Sequence, residues 1–280
     1  MQERFISDYS SIKDYPKRIV CLTEESTETI YLLGQEHRIV GVSGYTVRPP
    51  QARLKPKVSA FIRARFDKIL ALEPDLVFAF SDLQADIAAE LIRSGLNVVT
   101  FNQRSIREIL EVILTIGRIL GVEKRAADLV ASFEANLKNI AYQASQLPFR
   151  PRIYFEEWPD PLISGICWVD ELIEIAGGKT IFPELRSAKS GKERIVSPQE
   201  VINRDPEIII ASWCGRKVNR ESIMQRPGWD KISAIAANQV FEIKSTIILQ
   251  PGPAALTDGL QLLHKIISSH AARLDKKACN

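Results

Sequence analysis

The chain has 280 residues, with 37 basic against 34 acidic side chains and a net charge of +3. That length is enough for two α/β domains, and so small a net charge does not imply nucleic acid or a membrane surface as the main partner. Cys21, Cys167, Cys214 and Cys279 show neither CxxC nor metal-finger spacing, which excludes a disulfide framework and a finger-type metal site.

No apolar run reaches the roughly 18 residues that span a bilayer, so the chain is not read as an integral membrane protein. Residues 1–9 carry charge where a secretory leader needs its apolar stretch. As it stands the sequence reads as cytoplasmic. It reads as periplasmic or otherwise extracytoplasmic if a leader has been removed.

Residues 18–22 form a short apolar strand, residues 23–26 are capping residues, and 27–33 form a helix ended by Gly34. A strand over 38–42 follows, then a loop over 43–59 that holds Pro49, Pro50 and Pro56. Residues 67–79 then read as a short amphipathic helix, a stop before Pro74 and an apolar strand. A helix over 82–94 closed by Gly95 and a strand over 97–101 continue the alternation, which predicts a parallel sheet.

Ser105 and Glu108 have the spacing of a capping box and open a helix that runs to Leu120 and Gly121. Residues 123–145 carry apolar side chains at helical spacing, giving a helix roughly 35 Å long at about 1.5 Å per residue. It has none of the Gly/Ser composition of a flexible linker and is read as a rigid connector. Beyond it come a strand over 152–155, an irregular loop over 156–161, and a helix from 168 or 169 to 175 that ends at Gly177 and Gly178. The helix, proline and strand pattern of 67–79 then recurs at 199–211. A strand over 239–243, a loop over 244–253 and an amphipathic helix from 254 to about 272 complete the chain.

The repeat implies two similar lobes. The predicted fold is two Rossmann-like α/β lobes with parallel sheets joined by a long bridging helix, divided as 1–122, 123–147 and 148–280. Facing lobes of this kind leave a cleft at their strand ends, where open α/β sheets bind ligands. Six aromatic residues fall near that cleft: Tyr45, Phe61, Phe80, Trp158, Trp168 and Trp213. Flat side chains of this kind suit a bulky planar or macrocyclic ligand, and core packing is the other use for them.

Residues 48–65 hold six basic and no acidic side chains, and 156–174 hold six acidic and no basic ones. These runs read either as solvated loop faces or as an attraction between lobes across the cleft. Catalytic signatures are missing. His37, His264 and His270 lack the spacing of a zinc site, and no metal is expected. There is no GxGxxG, GxxxxGK[ST] or GxSxG. Glu156 and Glu157 are adjacent, so on a strand they point to opposite sides and do not make an acid/base pair.

The segments 18–22 with Thr29, 39–45, 70–77, 158–165 and 174–178 resemble the cobalamin-binding proteins of ABC-type uptake systems, within the wider group of two-lobed siderophore, haem and metal binders. The resemblance implies a non-enzymatic, monomeric protein that has no intrinsic cofactor and holds a corrinoid as its bound ligand. It assigns aromatic ligand contacts to Tyr45, Phe61, Phe80 and Trp158, with Trp213 near them, and polar contacts to Thr246 and Gln250. It also implies docking on ABC permease subunits through one acidic residue per lobe, at positions that match Asp67 and Gln199. Gln199 is neutral, with Glu200 beside it, and this weakens the second docking contact. The alternative ligand is haem or a ferric siderophore, with Tyr45 as a phenolate ligand and the 48–65 loop pairing with carboxylates. An alternative of another class is an intracellular enzyme or chaperone that handles a corrinoid.

Overall fold

The computed structural model describes residues 15–278, with side chains through residue 274. The lead-in over 1–9 and Cys279 lie outside the described residues. The first lobe is built from β1 (Ile19–Cys21), α1 (Glu24–Leu32), β2 (Ile39–Ser43), β3 (Lys57–Ala60), β4 (Arg63–Ala64), α2 (Phe66–Ala71), β5 (Leu76–Phe80), α3 (Ala85–Arg93) and β6 (Val98–Phe101). Its sheet order is β4-β3-β2-β1-β5-β6, parallel throughout except for the short β3–β4 pair. Every residue of β1 and β5 is buried, as expected for central strands of a parallel sheet covered on both faces. Gly41 on β2 is required by close packing: a Cβ there would lie 2.9 Å from a Leu72 methyl and 3.1 Å from one of Val58.

The chain then runs through α4 (Ile106–Ile119) and α5 (Glu123–Ser145). The second lobe contains β7 (Arg152–Pro159), β8 (Leu162–Ser164), α6 (Cys167–Ile175), β9 (Lys179–Thr180), α7 (Pro198–Arg204), β10 (Ile208–Ala211), α8 (Arg220–Met224), α9 (Ser233–Ala236), β11 (Val240–Glu242) and α10 (Ser245–Ile248). A π-helical turn over Ala255–Gly259 leads into α11 (Leu260–Ala278). The second sheet has the order β11-β10-β7-β8, with β9 also paired to β7. β10 is parallel to both β7 and β11, and β8 is antiparallel to β7.

The two repeat copies become α2–β5 and α7–β10. Each turns at a left-handed residue directly before its proline, Glu73 at φ 44° and Asp205 at φ 43°. The proline ring disfavours the right-handed helical region for the residue before it, so the helix ends there.

Several stretches differ from what the sequence predicts: the expected loop over 244–253 holds α10, and α1 already begins at Glu24, inside the expected caps. The expected loop over 156–161 is the end of β7 and the turn into β8, because Trp158 pairs with Ile163 and Pro159 with Leu162. The proline-rich loop contains a 3₁₀ turn over Pro50–Leu54 and ends in β3. The final helix begins as a π turn and extends to Ala278.

Both long helices belong to both lobes. Ile106, Ile109 and Ile113 of α4 pack with Ile153, Phe155 and Leu172 in the second-lobe core, while Ile116 and Leu120 enter the core around Ile19 and Phe78. On α5, Ala126 lies in the first-lobe core and Val130, Phe133 and Ile140 in the second. Polar contacts add to this joint. Arg48 binds Glu28 at 3.0 Å and Asp258 at 2.9 Å, Glu28 accepts the Ala254 amide at 3.1 Å, and Gln103 donates to the Pro251 carbonyl at 3.0 Å.

The oppositely charged runs do not meet across the cleft. Glu156, Glu157 and Glu174 pair with Arg226, Arg194 and Arg186 of their own lobe, and Arg48 pairs outside the acidic run.

Candidate functional site

The carboxyl ends of β2 and β5 in one lobe, and of β7, β10 and β11 in the other, face a cleft with two adjoining chambers of about 180 and about 160 Å³. Phe61, Phe80, Cys214 and Leu249 line both chambers. The position follows from the topology, since a parallel sheet presents its loops and helix N-termini at the carboxyl edge. Both volumes fall below the roughly 300–1,000 Å³ of sites that enclose a drug-sized ligand. Neither chamber alone encloses a ligand of that size in this conformation.

The Phe61 and Phe80 rings lie 6.5 Å apart and tilted by 40°, forming one wall. Gln84, fully buried and not singled out from sequence, fixes them. Its carbonyl accepts the Phe80 amide at 2.9 Å, and its amide donates to the Phe61 carbonyl at 2.7 Å. Tyr45 stands at the mouth, 49% exposed, beside Thr246 and Gln250. Trp168 borders the other chamber but, at 3% exposed, belongs mainly to the second-lobe core, with its ring nitrogen donating to the Ile248 carbonyl at 3.0 Å.

Trp213 is placed elsewhere. It is buried in the second-lobe core and donates to Glu156 at 3.0 Å, while Arg226 grips the same carboxylate at 2.5 and 3.0 Å. The next residue, Cys214, reaches the cleft. Trp158 is half-buried along the β7–β8 hairpin under the Arg216 guanidinium, 5.5 Å from its ring centre, and lines neither chamber. Asp67 and Gln199 occupy equivalent exposed first-turn positions of α2 and α7. The Gln199 amide donates to Asn203 at 2.8 Å. The Glu200 carboxylate is held by the amide and hydroxyl of Ser197, both at 2.9 Å, in a capping box that lowers its pKa.

The two chambers differ in charge. One is lined by Arg104, Lys189 and Arg194 with Asp82 and Glu157, whereas among the described residues Glu24 is the only charged one lining the other. Glu24 and Glu25 begin α1, at 7% and 5% exposure, and have no cationic partner among the described residues. Burial pushes their carboxyls up to about 7 and about 8, and the Glu24 charge adds to the rise at Glu25. The Thr23 hydroxyl donates to one Glu25 oxygen, and the other oxygen is buried without a partner. Glu156 and Glu157 point to opposite sides of β7, so the adjacent carboxylates make no pair. Among the described residues, no group of His, Cys, Asp and Glu is arranged to hold a metal ion.

Two parallel-sheet lobes joined by long helices around an aromatic-walled cleft define a two-lobed solute-binding protein. The periplasmic binding protein family matches residues 19–247, and the chain belongs to that family. Its architecture is that of the class III periplasmic binding proteins. The chain is similar to an uncharacterized ABC transporter substrate-binding lipoprotein, YvrC, of Bacillus subtilis, at 27% identity over 92% of this chain and 82% of that protein. It is similar to the vitamin B12-binding protein of Vibrio cholerae, at 25% identity over 90% of each chain. Among solved structures, the periplasmic heme-binding protein RhuT from Roseiflexus sp. RS-1 shares the fold, with TM-score 0.77 and 22% identity over 90% of this chain and 99% of that one. Solute-binding proteins of this family carry their ligands without an intrinsic cofactor.

Proposed function

We propose that the chain is the substrate-binding component of an ABC-type importer and captures a corrinoid, cobalamin or cobinamide, in the cleft between its lobes. The observation that carries this reading is the aromatic wall. Phe61 and Phe80 are held side by side by Gln84 and Tyr45 is at the mouth, giving flat apolar contact for a macrocycle, with the buried Trp168 bordering the same cleft. Thr246, Gln250 and Ser245 supply neutral hydrogen-bonding groups beside it, suited to peripheral amides. Relatives named as B12-binding proteins support the choice of ligand. Binding works by stacking and enclosure, without catalysis.

Docking on a permease would rest mainly on Asp67, because Gln199 is neutral and Glu200 is committed to capping its own helix. Titration with cobalamin and cobinamide should quench tryptophan fluorescence through Trp168 and release heat. No heat and no quenching with either corrinoid would remove this reading. The half-exposed Tyr45 phenol at the cleft mouth favours haem as the second reading. Haem binding through that oxygen predicts a Soret shift that Tyr45→Phe abolishes.

A further inference from the structure

We propose that Arg104 and Arg194, reaching from facing lobes into one chamber, form a clasp for an anionic oxygen group on the ligand, a phosphodiester when the ligand is a corrinoid. The proposal rests on the cleft-binding reading above and deepens it.

Arg194 is 1% exposed and lines the chamber. Its Nη1 donates to Glu157 at 2.6 Å and to the Ser164 carbonyl at 2.5 Å. Its Nε is buried without a partner. A guanidinium has five N–H donors, and a buried one left unused is costly unless another group completes the set.

Arg104 comes from the loop after β6 and lies over the Phe80 ring, 5.2 Å from its centre, so its position is coupled to the aromatic wall. Its one ion-pair partner among the described residues, Asp82 at 3.2 Å, is 75% exposed, and such a pair is heavily screened. Burial, reinforced by the nearby Arg194 charge and opposed by Asp82, holds Arg104 below the usual arginine range. With Lys189, this chamber has three cations against two carboxylates, Asp82 and Glu157. One small oxyanion between the arginines would relieve their repulsion and tie the two lobes together.

The far chamber is complementary. Glu24 lines it without a cation, so that end favours an N–H donor. The cleft therefore orients a ligand with an anion at one end and amides at the other. A complete corrinoid carries both, and a corrinoid without its nucleotide loop carries only the amides. Haem offers carboxylates and no amides.

The test is calorimetry on the full chain, wild type and Arg104→Gln, with cobalamin, cobinamide, haem and haem dimethyl ester. Arg104 is the residue to change because Arg194 is built into the core, and circular dichroism checks that the variant is folded. Loss of a charge-assisted contact should weaken cobalamin by roughly ten- to a hundredfold and leave cobinamide within about twofold. Equal losses for both corrinoids, or an unchanged cobalamin affinity, would overturn the clasp. If the wild type binds neither corrinoid, the corrinoid reading falls and the clasp is judged on the haem pair. A loss for haem but not for its ester supports it. Equal behaviour of the two, or no binding of any probe, overturns it.

Discussion

Glu25 sits at the start of α1 with one oxygen held by Thr23 and the other unpaired, and the Glu24 carboxyl is its neighbour. Both folded-state values, about 7 for Glu24 and about 8 for Glu25, lie above the ordinary carboxyl range. Between the ordinary value near ~4.3 and these raised values the folded state holds more protons than the unfolded one. Stability contributed by the protonated pair is therefore complete below about pH 4 and is lost as pH rises through 7 to 8. The pair titrates as a unit, and its effect over that window is on the order of a few kcal/mol. Glu25→Gln keeps the shape and removes the proton dependence. Urea unfolding at pH 5 and pH 8 should show a smaller loss for the variant than for the wild type, and parallel losses would show that the carboxyls do not titrate in this window. The sequence gives no warning of this pair, because two glutamates ahead of a helix read as favourable N-terminal charges. Only the lobe packed above them, where a Cβ on Gly252 would lie 2.5 Å from the Glu25 Cβ, makes them buried.

At the scale of elements, the strands and long helices were legible because their apolar spacing and stop signals are local: α5 spans the residues its periodicity marks, and Ser105 and Glu108 do form the capping box of α4. The β7–β8 hairpin was not legible, since Pro159, Asp160 and Pro161 signal a turn and the pairing that makes Trp158 a strand residue comes from beyond it. The site divides in the same way. Tyr45, Phe61 and Phe80 line the cleft from places near strand ends, whereas Trp213 turns to the core and Cys214 to the cleft, because β10 ends at Ala211 and the Arg216 amide closes a turn back on the Trp213 carbonyl, which redirects the chain between them. Arg104, Arg194 and Gln84 take their roles from contacts distant in sequence. Gln84 belongs to the short 3₁₀ turn after β5, and Gln84→Leu would leave the Phe80 amide and the Phe61 carbonyl unpaired. The expected loss is on the order of 2 kcal/mol of stability. Corrinoid affinity should fall as well, as the two rings lose their register. A variant destabilised but unchanged in affinity would show that the wall is held by other contacts.

At the scale of the molecule, the two lobes are joined more firmly than two domains on a tether. The apolar faces of α4 and α5 are divided between the two cores, and the contacts of Arg48 with Glu28 and Asp258 close the seam from the other side. Separating the lobes would expose Ile106, Ile109, Ile113, Val130 and Phe133 together, and each fully buried side chain of this size contributes roughly 1.5–3 kcal/mol. That sum rivals the whole stability of an ordinary domain, so neither lobe should unfold while the other persists. The sequence supplies a direct test, because all four tryptophans, Trp158, Trp168, Trp213 and Trp229, lie in the second lobe. Their fluorescence follows that lobe alone, and far-ultraviolet circular dichroism follows both. In urea the two signals should change with one midpoint and one slope. Arg48→Gln strips Glu28 of its cation at the seam and should move both midpoints downward together. A fluorescence transition separated from the dichroism transition would show independent lobes.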